Sequence, residues 1–316
     1  MSTHPQSPSP SARRLRSVPR QGLWVLAVLA MGSSLVLAQW RGRSGNGGWR
    51  GGGGGGESYV PSGTRTAREV PNHSTETPNW TNPPAFESDV FTFTRVVYDH
   101  SGRRGGGWMT DTPDSDLNLS YRLQQMTSLR VDPNGRYLRV TDPDLSRYPF
   151  IYVVEPGALS FNTEEIAALR QYLENGGFLM LDDFWGENQW EAMAEVMKEV
   201  LPGKSFVELS LSHEIYRCVF TIREKGQVPN YRLGTMSEFD PEHRTWEDPE
   251  GTGEKQAVHH RAIFDERGRM MVIATHNTDN GDGWEREGEN DYFFHNFSEK
   301  ISFPLGINII FYAMTH

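Results

Sequence analysis

The sequence predicts an α/β fold built around a doubly wound, mainly parallel β-sheet with an added C-terminal β-hairpin. The main observation is the stretch 148–186, which holds an apolar run at 151–154, a capped helix and a second apolar run at 178–181. A strand, a crossover helix and a second strand in this order form a parallel β-α-β unit. Further strand and helix patterns alternate on both sides of this unit and extend the sheet.

Two strands and one helix are predicted before this unit. The β-rich run 90–98 is the first strand, and a long glycine-rich loop follows it. Residues 117–129 have apolar side chains at helical spacing, and Asp116 or Ser115 is a candidate N-cap for this helix. Residues 137–140 are the second strand.

The helix of the central unit is defined by its ends. Asn162 is a favourable N-cap, and Glu165 three residues later completes a capping-box pattern. The glycine pair 176–177 ends the helix, because glycine adopts the left-handed conformation that a C-cap requires. Asp182 and Asp183 directly follow the next apolar run, so both carboxylates are expected at the carboxyl edge of the sheet.

The C-terminal half contains an amphipathic helix, a strand, a β-hairpin and a terminal helix, predicted at 189–200, 205–211, 257–275 and 305–314. The polar stretch 224–256 shows no clear periodicity and is predicted to be an irregular insertion. Strands and helices that alternate along the chain favour a flavodoxin-like arrangement of the sheet.

The first 86 residues are predicted to lie outside the folded domain, which spans 87–316. Residues 1–38 have the pattern of a signal peptide, with a basic start, an apolar run and a small-residue cleavage site that ends at Ala38. The predicted location is the periplasm or the medium, and the alternative is an uncleaved N-terminal helix anchored in the inner membrane. Residues 39–86 are rich in Gly, Pro, Ser, Thr and Asn and are predicted to form a disordered tether.

Charge and cysteine content argue against several kinds of partner and bond. Cleavage after Ala38 removes four arginines and no acidic residue, which leaves 27 basic and 41 acidic residues and a net charge of −14. This excess of negative charge argues against a nucleic-acid partner. Once the signal is removed, no stable membrane insertion is expected. The single cysteine, Cys218, cannot form an internal disulfide.

Four strings within residues 90–316 together carry a family resemblance. They are YDHSGRRGGGWMTDTPDSDLNLSYRLQQMTSLRV, YPFIYVVEPGALSF, GGFLMLDDFWG and THNTDNGDGWE. In combination they resemble the bacterial family called domain of unknown function 4159. That family is similar in fold to class I glutamine amidotransferases and to trehalose-utilisation-type domains. The resemblance implies this fold and no specific activity.

The sequence departs from the amidotransferases at their nucleophile. Those enzymes hold a catalytic cysteine at the strand-to-helix elbow that follows a GG-apolar strand, and here Asp182 or Asp183 occupies the matching place. Cys218 lies elsewhere, between apolar residues, and is predicted to be a small core residue. Because a nucleophile requires an exposed elbow and an adjacent base, cysteine-dependent amide hydrolysis is not expected.

The candidate binding residues are expected at the carboxyl edge of the sheet, where the loops after parallel strands meet. These loops carry Asp99, His100, Glu155, Asp182, Asp183 and His213. Carboxylates and a histidine in one place suit a divalent metal, general acid–base catalysis or hydrogen bonds to sugar hydroxyls. In the structural alternative, Asp182 or Asp183 caps the next helix and Glu155 fixes a turn.

Two further patterns are weaker. Trp108 and Trp185, with Phe184, are candidates for an aromatic platform that binds a sugar ring or a partner chain, or they cover the end of the sheet. The stretch 278–289 partly matches a calcium loop, with Asn280, Asp282 and Glu289 at ligand positions. A threonine stands at its first position, where a carboxylate is required, so a polar turn is favoured. No cofactor is predicted, and a divalent metal stays a hypothesis.

Three functions are open at this stage. The favoured one is an exported, non-catalytic binding or assembly module of the cell envelope, whose ligand is a carbohydrate, a peptide or another envelope protein. The second is a metal-assisted hydrolase that acts through Glu155, Asp182, Asp183 and His213. The third is a purely structural envelope protein. A dense acidic cluster with a vacant centre would favour the hydrolase, whereas an aromatic-lined groove without clustered acids would favour binding.

Overall fold

The structure is a computed structural model that describes Met1 and residues 60–73, 76–86, 89–100, 107–246 and 256–316. The strands in these residues are β1 (Thr94–Val96), β2 (Asp99–His100), β3 (Arg136–Leu138), β4 (Phe150–Val154), β5 (Leu159–Ser160), β6 (Phe178–Asp182), β7 (Val207–Glu208), β8 (His259–Phe264) and β9 (Met270–His276). The helices are α1 (Asp114–Met126), α2 (Thr163–Glu174), α3 (Gly186–Val200), α4 (Tyr231–Ser237), α5 (Asn280–Glu285), α6 (Asp291–Phe293), a π-helical segment (Phe294–Ser302) and α7 (Phe303–Thr315). None of these helices has the length and the apolar composition that crossing a membrane requires.

Seven strands form one mostly parallel sheet in the order β3-β1-β4-β6-β9-β8-β7. Strands β3, β1, β4, β6 and β9 are parallel, β8 runs antiparallel to β9, and β7 runs antiparallel to β8. Strands β2 and β5 form a separate antiparallel pair. The predicted α/β class and the mainly parallel sheet are confirmed.

Helices cover both faces of the sheet. Alternate side chains of its central strands therefore belong to two hydrophobic cores, one on each face. Phe150 and Tyr152 of β4 belong to one core, together with side chains of α1 and α7. Ile151 and Val153 of the same strand belong to the other, together with side chains of α2 and α3. Strands buried on both faces explain why β4 and β6 are continuously apolar in sequence.

The crossover between β4 and β6 forms as its sequence predicts. The Asn162 side chain accepts hydrogen bonds from the backbone N–H groups of Glu164 and Glu165, and Glu165 Oε2 accepts one from the Asn162 N–H at 3.0 Å. This capping box begins α2, and Gly176, with φ at 107°, follows the end of the helix.

Other boundaries differ from the predictions. The first strand is only β1, because the chain beyond it pairs with β5. Helix α1 begins at Asp114 after Pro113, so the predicted caps Asp116 and Ser115 lie inside the helix. The stretch 224–256, predicted to be irregular, contains α4, which is N-capped by the Asn230 side chain.

Part of the predicted tether is folded. Three of its apolar side chains are buried against Leu117 and Tyr137, namely Val60, Ala67 and Val70. The Arg68 N–H also donates to the Asn134 carbonyl at 3.2 Å. The prediction of a tether over 39–86 is therefore wrong for residues 60–73, which add scattered apolar side chains to an existing core without a periodic pattern. It is also wrong for residues 76–86, where Trp80 Nε1 and Asn82 Nδ2 donate to the Val131 carbonyl at 2.9 and 2.8 Å. The predicted signal peptide and the tether residues 39–59 lie outside the described residues, Met1 excepted.

Candidate functional site

Three chain segments bring carboxylates together at the carboxyl edge of the main sheet. Asp183 follows β6, Asp279 follows β9, and Asp111 precedes α1. Strands β6 and β9 are parallel neighbours, so the residues after them emerge at the same edge. One carboxylate oxygen from each of the three residues lies within 4.8 Å of the other two. We refer to Asp111, Asp183 and Asp279 as the acidic cluster.

The acidic cluster is buried and incompletely hydrogen-bonded. Asp111, Asp183 and Asp279 are 8 %, 8 % and 4 % exposed. Asp183 Oδ1 accepts from Trp185 Nε1 at 3.0 Å, and Asp279 Oδ1 accepts from the Asp282 N–H at 2.8 Å. Asp111 Oδ2 has no hydrogen-bond partner within the described part of the chain. Buried polar atoms are normally paired, so an orphaned carboxylate oxygen marks an incomplete site.

Burial and neighbouring carboxylates shift the ionisation of this group. Burial, followed by the charge of Asp282, raises the pKa of Asp111 well above its ordinary value. Burial, followed by the charge of Asp183, does the same to the pKa of Asp279. Three charged carboxylates at this separation repel one another strongly in a dry environment, and either protons or a cation relieves the repulsion.

A second trio shares Asp111 with the acidic cluster but has its own cation. Ligand oxygens of Asp111, Asp282 and Glu285 also lie within 4.8 Å of one another. Here Arg286 Nε lies 2.7 Å from Glu285 Oε2 and 3.5 Å from Asp282 Oδ1. Burial, and next the charge of Asp111, raises the pKa of Glu285 to about 10. Among the described residues, no basic side chain forms an ion pair with Asp111 or Asp279.

The two adjacent aspartates after the β6 apolar run have different roles. Asp182 accepts four hydrogen bonds, from Tyr152 Oη, Thr275 Oγ1, Asn280 Nδ2 and the Gly281 N–H. It therefore ties α5 to the sheet, whereas Asp183 belongs to the acidic cluster. Neither aspartate caps α3, whose N-cap is Trp185 without a side-chain hydrogen bond, so the predicted capping role is wrong.

Backbone conformation, one glycine and one arginine bring the carboxylates of the acidic cluster together. Asp111 and Asp183 both adopt left-handed backbone conformations, with φ of 63° and 57°. A Cβ atom on Gly281 would lie 2.1 Å from Asp111 Oδ2, so only glycine lets this carboxylate approach α5 so closely. The Asp111 loop is also fixed from behind, because Arg95 Nη1 donates to the carbonyls of Trp108 and Thr110 at 3.2 and 2.8 Å.

Glu155 lies beside the acidic cluster, since its N–H donates to the Asp182 carbonyl at 3.0 Å and since burial, with the charge of Glu155 as a smaller contribution, raises the pKa of Asp111. Glu155, with φ at 49°, accepts from the Gly107 N–H at 2.5 Å and lies in a turn. Asp99 belongs to the β2–β5 pair and forms an ion pair with Arg139 at 2.7 Å. The backbone of His100 pairs with β5 in the same small sheet. These two residues were expected after the end of a main-sheet strand, and the extra pairing takes them elsewhere.

His213 is also misplaced by the prediction. Strand β7 is at the edge of the sheet, three positions from β6, and the turn after it reverses the chain. The His213 ring consequently lies 6.0 Å from Phe264 and 5.5 Å from Tyr312 between ring centroids. Burial lowers the pKa of His213. It therefore cannot act together with Asp182 and Asp183.

The predicted aromatic platform is not formed by the described residues. Phe184 is fully buried and stacks on His276 with 4.9 Å between centroids. Trp185 is buried and donates to Asp183, and Trp108 packs edge-on against Tyr137 at 5.6 Å. These side chains turn inward because they cover the end of the sheet, which was the alternative interpretation.

The partial calcium-loop match is a short helix in the structure. Residues 280–285 form α5, N-capped by Asp279, and not the favoured polar turn. Asn280 donates to Asp182, Asp282 borders the cluster, and Glu289 forms an ion pair with Arg286 at 3.2 Å. Asp279 and Glu285 were not among the residues predicted from the sequence, and Asp111 was interpreted as a turn or cap residue first and as a ligand second. Asp279 could have been predicted in the same way as Asp183, since both residues follow a central parallel strand and therefore lie at the carboxyl edge of the sheet.

Comparison with known proteins identifies a family but no activity. A family model described as "Domain of unknown function (DUF4159)" matches residues 92–314. That match spans most of the described domain and includes every member of the acidic cluster. No curated protein matches the chain.

Proposed function

Because the chain belongs to this family of unknown function, we propose its function from the acidic cluster: the domain binds one hard divalent cation there and acts as a cation-dependent binding module. The observation that carries the proposal is Asp111 Oδ2. This atom is buried and has no hydrogen-bond partner in the described residues, and the Asp111 carboxylate belongs both to the acidic cluster and to the trio with Asp282 and Glu285. A cation is the ligand that such an arrangement of negative oxygens accepts best.

The donor chemistry and the spacing fit Ca²⁺, Mg²⁺ or Mn²⁺. All three members of the cluster offer carboxylate oxygens, which these ions prefer. Metal–oxygen distances of about 2.0–2.6 Å put opposite ligands about 4–5 Å apart. Oxygens within 4.8 Å of one another therefore reach a common ion with little rearrangement.

Burial favours a binding role for the cation. The cluster residues come from three separate segments, so one ion would fix the loop before α1 and the segments after β6 and β9 relative to one another. A catalytic metal keeps a coordination position open to water or substrate, whereas these side chains are at most 8 % exposed. The ligand would be held by the loops that the ion orders. A carbohydrate, a peptide or an envelope protein are the candidates, and export rests on the N-terminal signal pattern.

The metal-assisted hydrolase is the second candidate, and the elbow geometry favours it. We infer a flavodoxin-like arrangement, and the order of the parallel strands, β3-β1-β4-β6-β9, supports it because a flavodoxin-like sheet has the order 2-1-3-4-5. Asp183 has a left-handed backbone in the turn between β6 and α3, where amidotransferases carry their cysteine. Cys218 Sγ instead contacts the carbonyls of Ile215 and Asn308 at 3.6 and 3.2 Å, and burial raises its pKa. A dense acidic cluster without an aromatic platform also meets the criterion set above for the hydrolase.

Water exchange at bound Mn²⁺ separates the two candidates. Metal-free protein is titrated with Mn²⁺, and water-proton relaxation measures whether the bound ion carries an exchanging water. The binding module predicts one Mn²⁺ whose remaining waters exchange slowly because the site is buried, and the hydrolase predicts at least one water that exchanges rapidly with solvent. Asp111→Asn should lose the ion. Glu266→Gln, which removes the same charge from a side chain 85 % exposed, should keep it. If the wild-type protein binds no divalent cation, both candidates fail and the structural envelope protein takes their place.

A further inference from the structure

A second group of metal-ligand side chains lies where the N-terminal segment meets the domain. It consists of His73, Asp114 and Glu285, whose ligand atoms lie within 4.8 Å of one another. Asp114 is the first residue of α1 and Glu285 the last of α5. Both are buried, at 0 % and 3 % exposure, while His73 is exposed. None of the three belongs to the acidic cluster.

The buried carboxylates of this group have unfilled hydrogen-bonding capacity. Asp114 Oδ2 accepts from the His73 backbone N–H at 2.9 Å, but Asp114 Oδ1 has no hydrogen-bond partner in the described residues. Glu285 Oε2 also lacks a hydrogen bond, although Arg286 Nε is 2.7 Å away as an ion-pair partner. The orphaned Asp114 oxygen is an observation independent of the acidity of the group, and it points to a missing ligand.

The donor set differs from that of the acidic cluster. One imidazole nitrogen and two carboxylate oxygens suit zinc, whereas Ca²⁺ and Mg²⁺ prefer oxygen ligands alone. Asp114 and Glu285 supply two negative charges, of which Glu285 shares one with Arg286, and the exposed side at His73 leaves room for a water as fourth ligand. We propose that His73, Asp114 and Glu285 bind a zinc ion that fastens the N-terminal segment 60–73 to α1 and α5.

The zinc ion would fasten the chain between two stretches that already contact the domain. The buried apolar contacts of segment 60–73 stop at Val70, and contacts resume at Trp80, whose Nε1 donates to the Val131 carbonyl at 2.9 Å. His73 has no equivalent burial. A zinc ion there would join the end of the segment to two helices that are already packed on each other. Removing it should loosen the segment locally and leave the sheet intact.

Zinc titration of the full chain tests the proposal. Metal-free protein is titrated with Zn²⁺ against a chromogenic chelator, with Mg²⁺ in excess to occupy the acidic cluster. Wild type should bind zinc, and His73→Gln should weaken that binding by about 10-fold or more. The matched control is His295→Gln, which removes an exposed histidine whose Nδ1 lies 2.9 Å from Glu299 Oε2, and it should behave like wild type.

Two further measurements distinguish misfolding of His73→Gln from the loss of a zinc ligand. Co²⁺ in place of zinc should give the visible absorption of a tetrahedral site in wild type and in His295→Gln but not in His73→Gln. Zinc should also protect residues 60–73 from protease in wild type, and chelation should remove the protection. Equal thermal unfolding of His73→Gln and wild type in chelator shows that the variant is folded. No zinc binding by wild type, or equal zinc affinity in His73→Gln, would overturn the proposal.

Discussion

Asp111 and Asp116 are buried aspartates five positions apart, and the protein treats their charges in opposite ways. Asp116 is 1 % exposed and faces Arg95, whose Nε donates to both carboxylate oxygens at 3.1 and 3.0 Å and whose Nη2 donates at 2.5 Å. Asp111 faces the carboxylates of Asp183 and Asp279 instead. Asp116 is paired within the chain and serves the fold, whereas the incompletely paired Asp111 is the basis of the proposed cation site.

The Arg95–Asp116 pair also holds the loop that carries Asp111. Arg95 fills its remaining donor positions with Ser115 Oγ and with the carbonyls of Trp108 and Thr110. Thr110 directly precedes Asp111, so the paired aspartate helps to hold the unpaired one in place. We therefore expect substitution of Asp116 to lower stability strongly and to affect cation binding little. Substitution of Asp111 should affect stability little and cation binding strongly.

Breaking the Arg95–Asp116 pair should have the largest effect on stability. Asp116→Asn leaves the Arg95 guanidinium buried without a counter-charge, which should lower the free energy of unfolding by about 3–5 kcal/mol. Urea denaturation in chelator measures this change. A loss below about 1 kcal/mol would show that the pair is not what stabilises the loop before α1.

Substitutions at the adjacent residues Asp182 and Asp183 should separate effects on stability from effects on cation binding. Asp182→Asn disturbs an acceptor of four hydrogen bonds and should cost about 1–3 kcal/mol while a cation still stabilises the variant. Asp183→Asn should leave the stability in chelator unchanged or raised, because it removes repulsion, and should abolish the response to cation. Chemical denaturation with and without Mn²⁺ measures both. Equal cation responses from the two variants would remove Asp183 from the site.

His260 is a third buried ionisable residue, and its imidazole stays uncharged in the folded protein. Burial lowers its pKa to about 3, and its Nδ1 lies 3.0 Å from Tyr216 Oη. The unfolded chain takes up the proton below its ordinary pKa of about 6.5, so this contribution to stability is complete above that pH and declines as the pH falls towards 3. Between pH 7 and 5.5 the loss should be about 1 kcal/mol.

The control for this pH effect is His260→Gln. Groups that do not interact with His260 titrate alike in both proteins, so the difference between their stabilities against pH reports mainly on His260. Wild type should lose about 1 kcal/mol more than the variant between pH 7 and 5.5. Parallel curves would mean that His260 is accessible to protons in the folded state.

The sequence predicted the central framework well and the site only in part. The capping box at Asn162 and the apolar runs of β4 and β6 are local patterns, and they led directly to Asp183 at the sheet edge. Asp111 depends on Arg95, Asp116 and Gly281, which are distant in sequence and become neighbours only in the fold. Residues 60–73 were missed for a related reason, because irregular segments that dock on an existing core carry no periodicity.

The smallest expected stability change belongs to Asp111, and it gives the most direct test of the central claim. Wild type and Asp111→Asn are unfolded thermally in chelator and then with Ca²⁺, Mg²⁺ or Mn²⁺. In chelator the two proteins should be equally stable, or the variant slightly more so, because the substitution removes buried repulsion. A cation at about 100 times its Kd should stabilise wild type by about 2.7 kcal/mol and leave the variant unchanged. Equal stabilisation of both proteins by every cation, or of neither, would contradict a cation site at Asp111, Asp183 and Asp279.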